Sequence, residues 1–162
     1  MVERHIKKSK TSNSCGTDRI PITYWKVLST VLAAPISLLF NMFLRTGYIP
    51  WIWKQSLIIP LLKPKSVKTN LASYRPISLT CSLSKIFEKC ILELLLKQIG
   101  YKLSIKQFGF KANGSTFQNL LYTYNHIFKA LDANENIDLI FIDFSRAFDK
   151  VDYKILFDKI VF

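Results

Sequence analysis

Apolar residues follow two different spacings along the chain, and these spacings predict both helices and strands. Residues 86–95 and 117–131 repeat apolar side chains every three or four positions, the period of a helix with one face against a core. Residues 27–44 are mostly apolar, whereas residues 56–62 and 139–142 are short apolar runs typical of strands. The pattern predicts an α/β (α+β) chain with helices packed on a small sheet, and we expect the strand at 139–142 to be buried.

The apolar stretch at residues 27–44 has two interpretations. It is barely long enough to span a membrane and it includes the polar residues Ser29, Thr30, Ser37 and Asn41. The alternative is one buried helix kinked at Pro35, or two short helices, beginning near Pro21 and ending at Gly47. We favour the buried helix and expect no membrane partner.

The two periodic segments carry signals for helix starts. Ser82 or Ser84 can cap the first helix, and Ser115 with Gln118 forms a capping box for the second. We expect the apolar face of each to be core, and the second face to be core rather than a platform for stacked bases. The first face comprises Ile86, Phe87, Cys90, Ile91, Leu94 and Leu95, and the second comprises Phe117, Leu120, Leu121, Tyr124, Ile127, Phe128 and Leu131.

Charge is distributed unevenly along the chain. Residues 1–131 hold 19 basic and four acidic side chains, a net charge of +15, while residues 132–162 hold four basic and seven acidic ones, a net of −3. A basic body attracts a phosphate backbone in a salt-sensitive way, and an acidic segment suits divalent cations. Solubility or nonspecific adhesion is the alternative explanation of the basic charge.

Length and cysteine content limit the number of domains and the cellular compartment that we expect. The 162 residues allow one domain, and 49% of them are apolar, enough for a core. Residues 1–14 are polar and basic, without the apolar segment of a secretory signal, so we expect a flexible lead-in. Neither a zinc site nor a disulfide framework is indicated, because no two of the following residues form a close pair: His5, Cys15, Cys81, Cys90 and His126. We expect an intracellular location, nuclear or cytoplasmic.

The predicted strand at residues 56–62 leads into a basic turn. Pro60 confines that strand to a sheet edge or a bulge, because proline donates no ladder hydrogen bond. Lys63, Lys65 and Lys68 follow in the turn. Such a cluster is ordinarily a solvated surface, so the lysines alone do not define a site.

Arg75 stands between Tyr74 and Pro76, and the proline ring favours an extended backbone at the arginine. An extended arginine on a strand can hold its guanidinium group still. This planar, permanently charged group donates two parallel hydrogen bonds and suits a triphosphate better than a lysine does. A surface salt bridge to a carboxylate is the alternative role.

Asp143 follows the apolar run at 139–142 directly. A carboxylate is costly to bury unless it is paired, hydrogen-bonded or bound to a metal. A shielded aspartate at the end of a buried strand therefore predicts a cation or a cationic partner.

These residues occur in blocks that resemble a known family. Tyr74-Arg75-Pro76-Ile77-Ser78-Leu79 and the block around Asp143, Phe148 and Asp149 resemble the reverse transcriptase of non-LTR retrotransposons, in particular the jockey-like insect elements. Other matching blocks keep the family's order and extend the resemblance over nearly the whole chain; they lie at residues 14–21, 40–41, 47–50, 53–54, 84–89 and 107–110.

The resemblance implies an RNA-directed DNA polymerase. Its domain would comprise fingers at about residues 15–131 and the start of a palm at about 132–162. The implied reaction is nucleotidyl transfer, in which a primer 3′-hydroxyl attacks the α-phosphate of a deoxynucleoside triphosphate (dNTP) with two Mg²⁺ ions. The implied partners are an RNA template, a DNA primer and a dNTP.

The same resemblance implies roles for individual residues. Asp143 is the implied catalytic residue and, with the backbone carbonyl of Phe144, a metal ligand. Arg75, Lys63 and Phe148 are the implied nucleotide-binding residues, and the aromatic ring of Phe148 selects deoxyribose. The implied template or primer contacts are Gln107, Phe108, Gly109, Phe110 and Lys111. Three positions depart from the family pattern: Lys111 replaces its usual arginine, Arg146 replaces its usual lysine, and Asn113 stands where a basic residue is usual.

The chain lacks motifs that the complete enzyme needs. No Asp-Asp pair occurs in the 162 residues. The helical pattern at 154–162 contains no glycine, proline or other helix stop signal. We therefore expect a chain truncated at its C-terminus that does not extend a primer by itself. A basic nucleic-acid-binding module without catalysis and a non-functional relic are the alternatives.

Overall fold

A computed structural model gives the structure of residues 1–144 and 147–160. Its helices and two-stranded sheet confirm the α+β class. The length allows one domain, but the contacts divide the chain into two units, Met1–Leu103 and Ser104–Phe162. The boundary near residue 131 between fingers and palm stays a prediction.

The first unit contains four α-helices and one β-hairpin. The helices are α1 (Val2–Lys8), α2 (Ile22–Val27), α3 (Ser29–Thr46) and α4 (Ser82–Ile99). The apolar stretch at 27–44 lies almost entirely in α3, with Pro35 inside the helix, and the start predicted near Pro21 belongs to the separate helix α2. Helix α3 ends at Gly47 as expected, because Gly47 has a φ of 67° that glycine adopts without strain.

Four aromatic rings form the centre of the first unit. Phe40 and Phe43 of α3, Phe87 of α4 and Trp53 pack against one another, with the Phe40 and Phe87 ring centroids 4.9 Å apart. Their edge-on and tilted arrangements are those that aromatic quadrupoles favour. Since Ile86 and Cys90 are buried beside Phe87, the first half of the predicted α4 face is core. Leu94 and Leu95, in its second half, are more than 40% exposed.

Helix α3 has the length and composition to cross a membrane, the one such helix among the described residues. Core helices share these properties. In this structure its inner face, which includes Ile36, Phe40 and Phe43, is buried in the core of the first unit.

The N-terminal segment differs from its prediction. The sequence predicts a flexible lead-in at residues 1–14, but α1 is a helix whose Val2 and Ile6 are buried in the core. The segment holds too few apolar residues to show a helical period. Its order comes from packing against α2, α3 and α4.

A charged cluster fixes α1 to α4. Arg4 donates a hydrogen bond to the Glu93 carboxylate, His5 Nε2 lies 2.8 Å from Glu93 Oε2, and Lys97 Nζ lies 3.3 Å from Glu93 Oε1. The hydrogen bond from Arg4, followed by that from His5, lowers the pKa of Glu93 to about 2. The cluster therefore favours the ionised carboxylate in the folded chain.

The hairpin consists of β1 (Leu57–Leu62) and β2 (Tyr74–Leu79), which pair antiparallel. Both predicted strand features are confirmed, since Pro60 lies in an edge strand and Arg75 has an extended backbone. Pro60 faces Pro76, so two residues that cannot donate a ladder hydrogen bond share one rung. The backbone N–H of Lys63 closes the connecting loop by donating to the Ser73 carbonyl at 2.8 Å.

The start of α4 corrects the predicted cap. Cys81 is the N-cap residue, and its side chain makes no capping hydrogen bond. The two serines contribute elsewhere, because Ser82 Oγ donates to the Ile20 carbonyl at 3.1 Å and Ser84 Oγ donates to Glu88 at 3.3 Å. The two serine hydroxyl groups thus bond to Ile20 and Glu88 instead of capping the helix, as the local pattern had predicted.

Gly16 packs against the backbone that joins β2 to α4. A Cβ at this position would lie 2.4 Å from the Cys81 nitrogen and 2.5 Å from the Thr80 carbonyl carbon. No side chain has room there. The close approach joins the segment before α2 to the connection between the hairpin and α4.

The second unit contains α5 (Thr116–Asp132) and α6 (Tyr153–Ile160). The capping box of α5 is confirmed, with Ser115 and Gln118 each bonded to the other's backbone N–H. Asp152 caps α6, because its Oδ1 accepts hydrogen bonds from the backbone N–H groups of Lys154 and Ile155.

Two predictions of burial in the second unit are wrong. The apolar face of α5 is not core: Phe117 is 70% exposed, and no residue of the helix is buried. Residues 139–142 form no strand, and Phe141 is 86% exposed. A strand needs a partner for its backbone groups, and the two strands found among the described residues pair with each other.

We predict that Gly16→Ala destabilises the first unit by about 1–3 kcal/mol, because the new methyl group forces the Thr80–Cys81 backbone to move. Chemical denaturation followed by tryptophan fluorescence measures the loss. Gly100→Ala is the control, since Gly100 has a right-handed backbone and open space around its Cβ position. Equal stability of the Gly16 and Gly100 variants contradicts the close contact.

We predict that Glu93→Gln weakens the attachment of α1 at neutral pH. The folded-state pKa of Glu93 lies below the ordinary 4.5, so its contribution is complete above about pH 4.5 and disappears as the pH falls towards 2. Thermal unfolding at pH 7, 5 and 3 should show a difference from wild type that shrinks with acid.

Glu88→Gln provides the matched control, because Glu88 forms no ion pair with any described residue. A Glu93 variant whose difference from wild type stays constant with pH contradicts the ionic role.

Candidate nucleotide and nucleic-acid site

The β-hairpin positions Arg75 beside its basic turn. Arg75 pairs with Leu61 in the register, and Lys63 follows Leu61 by two residues. Lys63 is the residue directly after β1, and its backbone N–H bonds to Ser73 directly before β2. The two predicted nucleotide-binding residues thus belong to the same hairpin.

The guanidinium group of Arg75 is available to a ligand. The residue is exposed and forms no salt bridge or side-chain hydrogen bond with any described residue. The alternative of a surface salt bridge is therefore not observed in the described part of the chain. An extended backbone and an unneutralised planar cation are the features that bidentate phosphate recognition requires.

Lys63 is more constrained than Arg75. Its Nζ donates to the Ala72 carbonyl at 2.8 Å, and its side chain is half-buried. One of the three ammonium donors is used in this bond, and two are left for a ligand. The role of Lys63 in nucleotide binding stays a prediction.

The loop before α5 has a defined shape. Phe110 and Asn113 have left-handed backbones, with φ of 58° and 63°. Gly114 is required by a close approach, because a Cβ there would lie 2.2 Å from the Phe108 carbonyl oxygen. The Gln107 side chain donates to the Gly109 carbonyl at 3.2 Å. These contacts hold the predicted template residues in one folded loop.

The loop places its two phenylalanines in different surroundings. Phe108 is half-buried against Tyr122 of α5, with ring centroids 5.7 Å apart. Phe110 is 97% exposed and meets the ring of Phe148 edge-on at 6.0 Å. The structure therefore brings Phe148, a predicted nucleotide contact, next to Phe110, a predicted template contact.

Asp143 lies in an extended segment with no regular secondary structure. The residue is exposed and makes no hydrogen bond or ion pair with any described residue. Phe144, whose carbonyl is a predicted ligand, is 76% exposed. Asp143 is thus neither shielded nor neutralised, and Arg146, three residues later, lies outside the described residues.

The described residues do not fit a two-ion magnesium site. Residues 1–144 and 147–160 contain no group of three or more histidine, cysteine, aspartate or glutamate side chains close enough to hold a metal ion. Asp143 offers one carboxylate, and Asp152 uses its own as a helix cap. Two hard cations need several oxygen ligands, so further carboxylates must complete such a site.

The sequence analysis did not identify two residues of this region. Tyr122 and Asn125 lie on the polar side of α5, next to Phe108. A usable signal existed, because Gln118, Tyr122, Asn125 and Lys129 are spaced by three or four residues. Apolar periodicity by itself does not reveal this polar stripe.

Comparison with known proteins identifies the family. A family model described as reverse transcriptase (RNA-dependent DNA polymerase) matches residues 62–161. This range includes Arg75, the loop at 107–114 and Asp143. The chain therefore belongs to the reverse transcriptase family, which confirms the resemblance seen in its motifs.

Three curated relatives are transposon proteins of Drosophila melanogaster. The chain is 33% identical over 157 residues to the probable RNA-directed DNA polymerase from transposon BS, covering 96% of this chain and 17% of that protein. It is also 33% identical over 152 residues to the RNA-directed DNA polymerase from mobile element jockey, covering 93% and 17%. The corresponding protein of transposon X-element is 33% identical over 148 residues, covering 90% and 16%. The chain spans about a sixth of the length of these relatives.

Proposed function

We propose that this chain forms the fingers and the start of the palm of a reverse transcriptase domain from a non-LTR retrotransposon protein. The observation that carries the proposal is the family match over residues 62–161, which includes both Arg75 and Asp143. The fingers correspond to about residues 15–131 and the start of the palm to about 132–162. In the complete protein the activity is RNA-directed DNA polymerisation on an RNA template and a DNA primer.

The hairpin is the proposed binding site for the triphosphate of the incoming dNTP. Arg75 provides a guanidinium group that has no partner among the described residues, and Lys63 provides the remaining donors of its ammonium group. Phosphate oxygens accept such charge-assisted hydrogen bonds strongly. Phe148 is the proposed contact to deoxyribose, and its 77% exposed ring is free to receive one.

Asp143 is the proposed catalytic carboxylate and metal ligand, with the Phe144 carbonyl beside it in the chain. Divalent cations, for which we propose magnesium, would neutralise charge on the phosphates in the complete domain. The remaining carboxylates belong to parts of the longer protein. The exposed apolar residues of α5 and of 139–142 would pack against those same parts, which supports this assignment.

An intracellular location, nuclear or cytoplasmic, fits the cysteine chemistry. Cys81 and Cys90 are buried as free thiols, and Cys15 is a half-buried one. A reducing compartment preserves such thiols. We therefore infer a site of action inside the cell, where an RNA template is available.

We predict that Arg75→Ala raises the Kd for a dNTP tenfold or more. A lost hydrogen bond to a charged group costs about 1.5–3 kcal/mol of binding free energy. Titration with a fluorescent dNTP and with the corresponding monophosphate measures the loss, which should be larger for the triphosphate. Lys63→Gln is expected to weaken dNTP binding less, because the Lys63 ammonium group already donates one hydrogen bond to the Ala72 carbonyl.

Arg45→Ala is the matched control for Arg75, since Arg45 is also an exposed arginine in the first unit without a partner among the described residues. Equal losses of dNTP affinity in the two variants mean that triphosphate binding depends on net charge rather than on the hairpin.

We predict that the purified chain does not extend a primed RNA template, because its described carboxylates do not complete a metal site. A primer-extension assay with Mg²⁺ and all four dNTPs checks this. Template-dependent incorporation that is lost in Asp143→Ala contradicts the prediction.

A second candidate function is nucleic-acid binding without catalysis, which the net charge of +15 on residues 1–131 favours. Filter binding at increasing salt separates the two functions. Strong, salt-dependent binding that is unaffected by Asp143→Ala, together with no selective dNTP binding, supports the module.

A further inference from the structure

Helix α5 has two faces of different chemistry. One face is the apolar stripe described above. The other carries amide, phenol, imidazole and ammonium groups at helical spacing, from Gln118, Tyr122, Asn125, His126 and Lys129. Lys129 and Asp132, three residues apart, are the charged residues of this stripe, and Tyr122 and His126 are its rings. The rings and amides of the stripe favour a ligand that is planar and polar.

The polar face is concave where the preceding loop folds onto it. Two adjoining cavities, of about 280 and 490 Å³, share Phe108 and Gln118 as lining residues. Asn125 and Tyr122 line the larger cavity, and Lys111 lines the smaller one. The loop is held in place by Gly114, which no other residue can replace without displacing Phe108. The cleft is thus a structured feature of the second unit.

Aromatic rings form one wall of the cleft. The Phe108 and Tyr122 ring centroids are 5.7 Å apart, and Tyr122 meets His126 edge-on at 4.6 Å. Both Phe108 and Tyr122 are half-buried, so each ring is supported on one side and open on another. Rings held in this way are the surfaces on which unpaired bases stack.

Polar groups with unused hydrogen-bonding capacity lie beside the rings. The Asn125 amide makes no hydrogen bond with any described residue. Gln118 uses its carbonyl oxygen to accept from the Ser115 N–H, which leaves its NH₂ group as a donor. Amides of this kind recognise the donor and acceptor edges of bases.

The surrounding charge suits a phosphodiester. Residues 94–131 contain five lysines and no aspartate or glutamate. Lys111 lies in the loop and Lys129 on the same helix face as Gln118 and Asn125. A strand with its base in the cleft would place its phosphates near Lys111 and Lys129, and Asp132 follows Lys129 by three residues at the end of α5.

We infer that Phe108, Tyr122, Gln118 and Asn125 form a stacking cleft for an unpaired base of a single-stranded nucleic acid, with Lys111 and Lys129 binding the adjoining phosphates. This inference rests on the proposed function and extends the template loop onto the polar face of α5. The cleft accepts bases of RNA and DNA through the same chemistry. A paired base cannot enter it, because its faces and edges are already occupied.

The test uses the full chain and a single-stranded RNA ten-mer of uridines with one central 2-aminopurine, whose fluorescence changes when it stacks on an aromatic ring. Tyr122→Ala should weaken binding about tenfold and abolish the fluorescence change. Asn125→Ala should weaken binding less and keep the change. Circular dichroism confirms that α5 still forms in each variant.

Tyr124→Ala is the matched control, because Tyr124 is the same residue type on the same helix but belongs to the apolar face, where it stacks on Phe128. Its binding should stay within twofold of wild type. A second control is the same strand paired with its complement, which should give no change in 2-aminopurine fluorescence attributable to the protein.

The outcomes separate this inference from the proposed function. Tight, salt-dependent binding that Tyr122→Ala and Tyr124→Ala affect equally overturns the cleft and leaves the polymerase assignment intact. Absence of any oligonucleotide binding overturns the cleft, whereas selective dNTP binding that Arg75→Ala weakens still supports the polymerase assignment. A DNA ten-mer that binds with the same loss in Tyr122→Ala assigns the cleft to unpaired bases in general, and selective binding of the RNA assigns it to RNA; both results support the cleft.

Discussion

The contact between Phe40 of α3 and Phe87 of α4 holds the first unit together. Their ring centroids lie 4.9 Å apart, and Phe43 and Trp53 pack against the same pair. Helix α4 begins three residues after β2 ends, so the packing of α4 also anchors the hairpin. Gly16 reinforces this anchor by its close approach to the intervening backbone. The hairpin that carries Arg75 is thus joined by a short connection to a helix that aromatic burial holds in place.

Apolar surface in the second unit lacks a facing surface within the unit. The apolar face of α5 and residues 139–142 are largely exposed, although both have the composition of core elements. Burial of such residues is the main source of folding free energy, and it requires a surface to pack against. The curated relatives are about six times as long as this chain. The exposed surface thus agrees with the proposal that these elements complete their packing in a larger domain.

Charged groups divide into those used for structure and those left for ligands. Glu93 contacts Arg4, the His5 imidazole and Lys97, and its hydrogen bond from Arg4 lowers its pKa most, so it serves to join α1 to α4. Arg75 and Asp143 have no such partners among the described residues. An unneutralised charge contributes little to folding and is available for binding. The two residues that the family resemblance marked for chemistry are therefore also free to engage phosphate or metal.

Local rules in the sequence determined several features of this protein by themselves: the extended backbone at Arg75, the capping box at Ser115, the cap at Asp152 and the end of α3 at Gly47. Each of these features depends only on neighbouring residues. The order of the motifs along the chain was likewise enough to recognise the family. Tertiary structure alone decided that α1 is ordered, that Ser82 bonds to Ile20 instead of capping α4, and that residues 139–142 form no strand. These outcomes depend on surfaces distant in the sequence, because burial and hydrogen bonding need a partner that a periodic pattern cannot supply.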